Sequence, residues 1–499
     1  MAIEADKNIG ICILRRGTYN TRGVAEHLGD TSVYEKLTKK QAFQKQRILS
    51  FKTSLFASKW SHEGAISPAE THFILQSLRD YPDKMARFRM ILKAHKTPWK
   101  MRPIVCCAGT FINNLSRWLD YWLQKLKPFI KSYLKNSTSL LDMLDRLDQL
   151  PPNAWLFTAD ANSMYTNIDT NHAIDVIGKW LDSLKDQLPP EFPLEAVKEA
   201  MELVMKNNLF EWGDLYFLQL MGTAMGTSAA CMWATIYFAV HENGKLIPTY
   251  KSNLLLFVRY IDDIFGIWVD TAESPNAWTN FIADTNDFGI LTWDFEQAGS
   301  SVNFLDLTIT IEGTKITTKT YQKALNLYQY IMPSSAHPPG MMRGIISGLL
   351  KTYRRQNTYQ SDYNKIAIET FKRHVARGWN RATMKEYILT ADAKLTERLT
   401  TKPPTSLPSP NPTTESKLTN HERIFLNWEY HPNDIPRKNV RAIFNDTCKE
   451  LFDDALGIKQ ITIAYSRPKN LKDVLTKAKL YQVPGREASK FYSGELSDR

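Results

Sequence analysis

This sequence has little cysteine, and what it has follows no framework. The five cysteines, Cys12, Cys106, Cys107, Cys231 and Cys448, are an odd count in 499 residues. They show no C-x-x-C spacing and no paired histidine ligands, which argues against a disulfide scaffold or zinc module and for a reducing compartment. The glycine-bearing stretch 222–227 (GTAMGT) lacks the lysine of a P-loop, so a nucleotide-hydrolase reading fails. His241-Glu242 has no second histidine four residues on, so it is not a zincin motif. The N-terminus, MAIEADKNIGICILRRG, has no basic region ahead of its short apolar run, so a signal peptide is not expected. No basic nuclear-import cluster and no internal repeat stand out. The most apolar stretch, 254–269 (LLLFVRYIDDIFGIWV), is long enough to suggest a membrane span. It carries Arg259, Asp262 and Asp263 at its centre, and three charges there would be costly in lipid.

What is present describes a globular protein of two or more domains. The length exceeds what one core organises, and 43% hydrophobic with 11% aromatic residues excludes a disordered chain. A net charge of +11, from 63 basic and 52 acidic residues, suits a polyanionic partner but is weak evidence alone.

The pattern of 254–269 predicts a β-hairpin, two runs of β-formers with Tyr260-Ile261-Asp262-Asp263 at or beside its turn. Adjacent acids at a hairpin tip are either turn chemistry or a site whose mutual repulsion a divalent cation relieves. Earlier, residues 34–55 (with KKQAFQKQR) read as a basic helix, either a solvated face or a nucleic-acid contact. Ser67 and Pro68 are an N-cap and first helical residue. Two β-like runs at 88–92 and 104–107 flank a loop with Lys93, His95, Lys96, Lys100 and Arg102, a phosphate clamp or a solvated turn. Residues 110–147 have helical periodicity. A short strand from 154 ends at Asp160, where an aspartate is a metal ligand or a turn residue. Helices are expected at 170–188 and 194–207, a strand at 215–220, and a long apolar helix from Ser228. Residues 303–311 and 315–321 read as strands, and 341–400 as basic helices. Residues 401–414 (TKPPTSLPSPNPTT) read as a proline-rich linker, with a basic amphipathic helix after Pro468.

Asp160, Asp262 and Asp263 are separated by about a hundred residues, yet a three-stranded antiparallel sheet could bring the strand end beside the hairpin tip. Nucleotidyl transfer requires such a cluster, because two Mg²⁺ ions about 3.5–4 Å apart hold the attacking 3′-hydroxyl and the leaving pyrophosphate.

Six blocks in order now resemble one family. They are ILKAHK…RPIV at 91–105, DANSMYTNI from Asp160, AMGT at 224–227 with ATIYFAVHE at 234–242, RYIDDIFGIW at 259–268, FLDLTI at 304–309, and SRPKNLKDVLTKAKL at 466–480. The series resembles the reverse transcriptases of Penelope-like retroelements, relatives of the telomerase catalytic subunit. YIDD alone would be weak; the six together are specific.

The resemblance implies an α/β (α+β) right-hand polymerase. Its parts would be an N-terminal helical extension at 1–75, fingers at 76–153, and an antiparallel-sheet palm at 154–320. A palm–thumb connection at 321–400, the linker at 401–414 and a helical thumb at 415–499 would follow. It implies an RNA-directed DNA polymerase encoded by a retroelement, using two Mg²⁺ ions, with Mn²⁺ as a substitute. Its partners would be an RNA template, a DNA primer with a free 3′-hydroxyl and dNTPs, with no membrane. It would be intracellular and nuclear at the site of synthesis. Asp160, Asp262 and Asp263 would be catalytic metal ligands. Lys96 and Arg102 would clamp the triphosphate, and Tyr165 would be the steric gate against a ribose 2′-hydroxyl. Gly222, Gly226 and Thr227 would border the nucleotide, and Arg467, Lys469 and Asn470 would contact nucleic acid. There are departures. Ala229-Ala230-Cys231 stands where the family often has a proline, Gly348-Leu349 where it often has Gly-Glu, and Lys93 where Pro-Lys is expected. The family's GIY-YIG endonuclease has no counterpart, since only YQVPGREASKFYSGELSDR follows Leu480. The expectation is therefore a polymerase that extends existing ends. The competing readings are an idle nucleic-acid-binding relative, against which the intact aspartates argue, and an RNA-synthesising polymerase, against which Tyr165 argues.

Overall fold

The computed structural model describes residues 1–468 except 7–9, 95–96, 148, 273–274, 324–325, 339, 402–422, 449–451, 454–456 and 459. The described residues fall into two compact units, Met1–Leu327 and the part of Tyr328–Val474 up to residue 468.

The strands of the first unit are β1 (Ala2–Glu4), β2 (Ile11–Ile13), β3 (Tyr34–Leu37), β4 (Ala86–Lys93), β5 (Lys100–Cys106), β6 (Ala154–Ala161), β7 (Asn208–Trp212), β8 (Leu215–Gln219), β9 (Leu254–Tyr260), β10 (Asp263–Val269), β11 (Trp293–Gly299), β12 (Ser301–Phe304), β13 (Leu307–Glu312) and β14 (Lys315–Thr320). They form a five-stranded sheet in the order β3-β8-β7-β4-β5, a four-stranded antiparallel sheet β11-β6-β10-β9, a three-stranded sheet β12-β13-β14, and the pair β1-β2.

In the five-stranded sheet the expected hairpin is β4–β5, with Phe88 opposite Val105 and Ile91 opposite Arg102. Alternate β4 residues Phe88, Met90 and Leu92 enter a core with Phe210, Trp212 and Phe217, as period-two patterning requires. Residues 34–37, expected as the start of a basic helix, are instead an edge strand on β8. The helix is Lys39–His62, because Thr38 and Gln41 make a reciprocal capping box at its start. Residues 1–75, expected as a helical extension, thus hold three strands as well. Strand β7 was not expected. The amide side chain of Asn208 donates to the Met205 carbonyl at 2.8 Å and closes the preceding helix one residue before the apolar run turns extended. The expected helix at Ser67 does begin there: Pro68–Asp80 starts on a capping box between Ser67 and Glu70.

The four-stranded sheet is covered on both faces. Phe157, Ala159 and Ala161 of β6 join Ile264, Trp268, Trp233, Phe238 and Phe281 in one core. Leu156, Val258, Phe265 and Ile267 point the other way, against Val302, Phe304, Leu307 and Ile309. Burial on both faces is why β9 and β10 read as near-continuous apolar runs. The sequence reading had three strands here. The fourth, β11, carries a signal of its own that the three-strand expectation leaves out: Trp293-Asp294-Phe295-Glu296 alternates inward apolar and exposed charged residues. Residues 303–311, expected as one strand, are a hairpin that turns at Leu305, where φ is +53°. The apolar helix expected from Ser228 is Ala230–His241, buried on almost every side.

In the second unit the helices Met341–Gln356, Gln360–Ala376 and Arg381–Thr401 share a core of Met342, Ile346, Leu350, Tyr353, Tyr363, Ile366 and Met384. Strands β15 (Arg423–Glu429) and β16 (Gln460–Ser466) pair in parallel. The proline-rich stretch after Thr401 and the basic helix expected after Pro468 lie outside the described residues. Among the described residues no helix is long and apolar enough to cross a membrane.

Candidate active site

Strand β6 carries Asp160 near its end, and β10 begins at Asp263. The antiparallel register makes these two residues direct partners, so their side chains leave the same face of the sheet. Burial pushes the Asp263 carboxyl up to about 7; the charges of Asp262 and Asp160 and a hydrogen bond with Asp160 push the same way, and Lys323 opposes them. On the other side of β6, Asp294 is also a register partner of Asp160 and is exposed. Asp294 is not among the expected site residues; the signal for it is its place in the alternation Trp293-Asp294-Phe295-Glu296.

The turn between β9 and β10 is closed by the pair Tyr260–Asp263 and leaves only Ile261 and Asp262 outside the ladder. Ile261 has φ of +56°. A β-branched residue resists that conformation, at a cost on the order of 1–3 kcal/mol, so the surroundings must hold it. Both turn carbonyls are held. The Ala161 N–H donates to the Asp262 carbonyl at 2.9 Å, tying the turn to the strand of Asp160. The Arg259 guanidinium donates to the Ile261 carbonyl at 2.8 Å. Arg259 is 1% exposed and its partner Glu242 is 0% exposed, with Nε–Oε1 and Nη2–Oε2 distances of 2.7 Å each. The Ser132 hydroxyl completes the carboxylate at 2.5 Å. The sequence had shown Arg259 only as a charge out of place. The signal for its partner was Glu242 itself, one acid at the end of a helix with no polar face.

Tyr165 lies beyond β6 and is anchored at both ends. Its carbonyl accepts from the Thr223 N–H at 2.8 Å, and its hydroxyl is 3.0 Å from the Cys231 thiol. Burial, then the Cys231 contact, raises the phenol well above its ordinary range; Asp262 adds to the rise and Arg102 opposes it. Both charged groups are therefore close enough to act on this ring. The loop 222–227 packs between Tyr165 and β5. A Cβ on Gly222 would sit 2.1 Å from the Tyr165 carbonyl oxygen, and one on Gly226 would sit 2.0 Å from that of Val105. The close backbone approach read from these glycines is thus present. Thr227 is buried, and its hydroxyl faces Cys107 and Asn208, each at 3.4 Å. Arg102 pairs with Asp6 at 3.4 Å and stays partly exposed.

The structure therefore gathers Asp160, Asp262, Asp263, Tyr165, Gly222 and Arg102 from separate elements. Lys96, Lys469 and Asn470 lie outside the described residues. Arg467 is exposed just past β16, in the second unit. Among the described residues no three His, Cys, Asp or Glu side chains converge as a ready-made metal cage. The donor set still suits Mg²⁺. That ion takes one or two carboxylates and completes its shell with water and phosphate, and a proton held on Asp263 to about pH 7 marks negative charge in excess.

No family model matches this sequence, and no curated protein matches it. Several solved structures are similar at low identity. Telomerase from Candida albicans, in complex with a TWJ fragment of telomeric RNA, has a TM-score of 0.46 and 10% identity, over 81% of this chain and 74% of that one. A C-terminally truncated apo telomerase from Candida tropicalis has 0.37 and 12%, over 53% of this chain and 60% of that one. The Sicinivirus 3Dpol RNA-dependent RNA polymerase has 0.39 and 13%, over 65% and 71%.

Proposed function

We propose that this chain is an RNA-directed DNA polymerase that extends a 3′-hydroxyl primer on an RNA template. The observation that carries this reading is the β6–β10 register, which sets Asp160 opposite Asp263 beside a strained turn that presents Asp262. In this reading the four-stranded sheet is the palm, the five-stranded sheet with the β4–β5 hairpin belongs to the fingers, and the second unit is the thumb. Asp160, Asp262 and Asp263 would hold two Mg²⁺ ions, or Mn²⁺ in their place. When bound, those ions would make the 3′-hydroxyl easier to deprotonate and would offset the negative charge that builds on the leaving pyrophosphate.

The protein's own groups bind and orient. The Arg102 guanidinium meets triphosphate oxygens with a rigid fork of donors. The Tyr165 ring fills the space a ribose 2′-hydroxyl would need, so discrimination is steric. Gly222 and Gly226 let the loop backbone approach the nucleotide's surroundings without a side chain intervening. A retroelement origin and synthesis in the nucleus accompany this proposal.

Primer extension on an RNA template tests it, comparing dNTPs with NTPs and including Asp160→Asn and Asp262→Asn. Extension with dNTPs, lost in both variants, is expected. Extension with NTPs alone would make the protein an RNA-synthesising enzyme. Binding without extension would make it an idle relative.

A further inference from the structure

The turn that presents Asp262 has no glycine or asparagine to relax it, only Ile261 at φ of +56°. Its geometry must come from outside the turn. Arg259 supplies four contacts from a fully buried position: two to Glu242, one to the Thr235 carbonyl at 2.8 Å, and one to the Ile261 carbonyl at 2.8 Å. Thr235 and Glu242 belong to one run of helix: Thr235 lies in Ala230–His241, and Glu242 follows directly in the next helical turn. The guanidinium thus clamps the hairpin tip to the helix beneath it. The backbone of Arg259 is held too, by bonds to the Ser132 carbonyl at 2.7 Å and from the Leu134 N–H at 3.0 Å.

We infer that Arg259 and Glu242 are positioning residues: the buried pair fixes the Ile261 peptide so that Asp262 stands beside Asp160 and Asp263. The inference rests on the polymerase reading for its kinetic consequence, but not for its structural one. A buried ion pair is weak evidence for stability, since apolar residues of similar volume often replace one without loss. The planar fork of arginine reaches acceptors on both the helix and the turn, a task a lysine ammonium cannot repeat in the same geometry.

The test is the double variant Arg259→Met/Glu242→Leu, which removes both charges and keeps the volume. The expected melting temperature is close to that of the native protein. Hydrogen exchange at the amides of residues 260–264 is expected to accelerate about tenfold or more. In primer extension kcat is expected to fall about 10²-fold, the scale of an ångström-level misplacement. The KM for dNTP should change less than kcat, because Arg102 and the loop 222–227 are untouched. A folded double variant with native exchange at the turn and native kcat would overturn the inference and leave the pair as core filling. Should the double variant not fold, Arg259→Lys decides between the same outcomes, with a loss of about tenfold expected, since it keeps the charge opposite Glu242 but not the fork. If the native protein extends no primer, the polymerase reading fails alone, and exchange at 260–264 still decides whether the clamp exists.

Discussion

Asp263 stands directly across the sheet from Asp160, and the two carboxyl groups share a hydrogen bond. Its carboxyl, ordinarily near 3.8, is raised to about 7 by burial and by the neighbouring negative charges. The folded protein therefore holds a proton here that the unfolded chain releases near pH 4. The stability this contributes is fully present below that pH and is lost as pH rises through 7. In metal-free buffer the native protein should lose melting temperature between pH 5 and pH 8, and Asp263→Asn should lose less of it. Scanning calorimetry at both pH values is expected to show a difference of roughly 2–4 °C. Parallel pH profiles would mean that the carboxyls are not coupled in this way.

Magnesium should reverse that loss at pH 8. A cation bound only by the folded state stabilises it by mass action, by roughly 1.4 kcal/mol at ten times its Kd. Under the proposed assignment Asp262→Asn removes one anionic ligand, so its response to Mg²⁺ should be weaker. Its extension rate should fall by about 10²-fold or more, while primer–template binding stays near native. Near-normal extension by a well-folded Asp262→Asn protein would remove the metal assignment.

The sequence showed the β9–β10 hairpin and the strand of Asp160 because strands buried on both faces leave plain apolar runs. The edge strand β11 is legible only as the brief alternation Trp293-Asp294-Phe295-Glu296, too short beside the apolar runs of β9 and β10 to be counted with them. The sequence did not show β3, since a basic helix follows at once and only the Thr38 cap marks the boundary. Arg259 and Glu242 were each visible as an anomaly, but their pairing was not. Pairing across 17 residues depends on how the helix and hairpin pack, which no local pattern encodes.

Tyr165 separates two effects that one substitution would confuse. Tyr165→Ala removes the ring and should admit ribonucleotides. Tyr165→Phe keeps the ring and removes only the hydroxyl that contacts Cys231, so its sugar discrimination should stay within a few-fold of native. The ratio of kcat/KM for dNTP to that for NTP reads both. An unchanged ratio in Tyr165→Ala would show that the gate lies elsewhere.

Arg102 is paired with Asp6 on the β4–β5 hairpin, with the guanidinium partly exposed and the Asp6 carboxylate largely buried. Arg102→Ala should therefore still fold but lose on the order of 1–3 kcal/mol of stability. Loss of a charge-assisted bond to phosphate, roughly 1.5–3 kcal/mol, should raise the KM for dNTP about tenfold or more. Steady-state kinetics with saturating primer–template isolates this effect. Weakened template binding with an unchanged dNTP dependence would move Arg102 to the template path.

Gly226 tests the packing that joins the loop 222–227 to strand β5. Its φ is +132°, a region closed to side-chain-bearing residues, and a Cβ there would meet the Val105 carbonyl oxygen at 2.0 Å. The loop cannot simply step back, because the Val105 N–H donates to the Met225 carbonyl at 2.8 Å. Moving one peptide away from Val105 would break that bond. Gly226→Ala should therefore destabilise the first unit by on the order of 3 kcal/mol, lowering its melting temperature by roughly 4–5 °C. Gly244→Ala is the matched control. It lies in a helix, its added methyl meets nothing within 4 Å, and its φ is not positive, so it should be neutral or slightly stabilising. In any Gly226→Ala protein that remains folded, the KM for dNTP should rise, because the displaced loop borders Tyr165 on one side and the strand of Arg102 on the other. A Gly226→Ala protein melting within a degree of native would show that the loop does not rest on Val105.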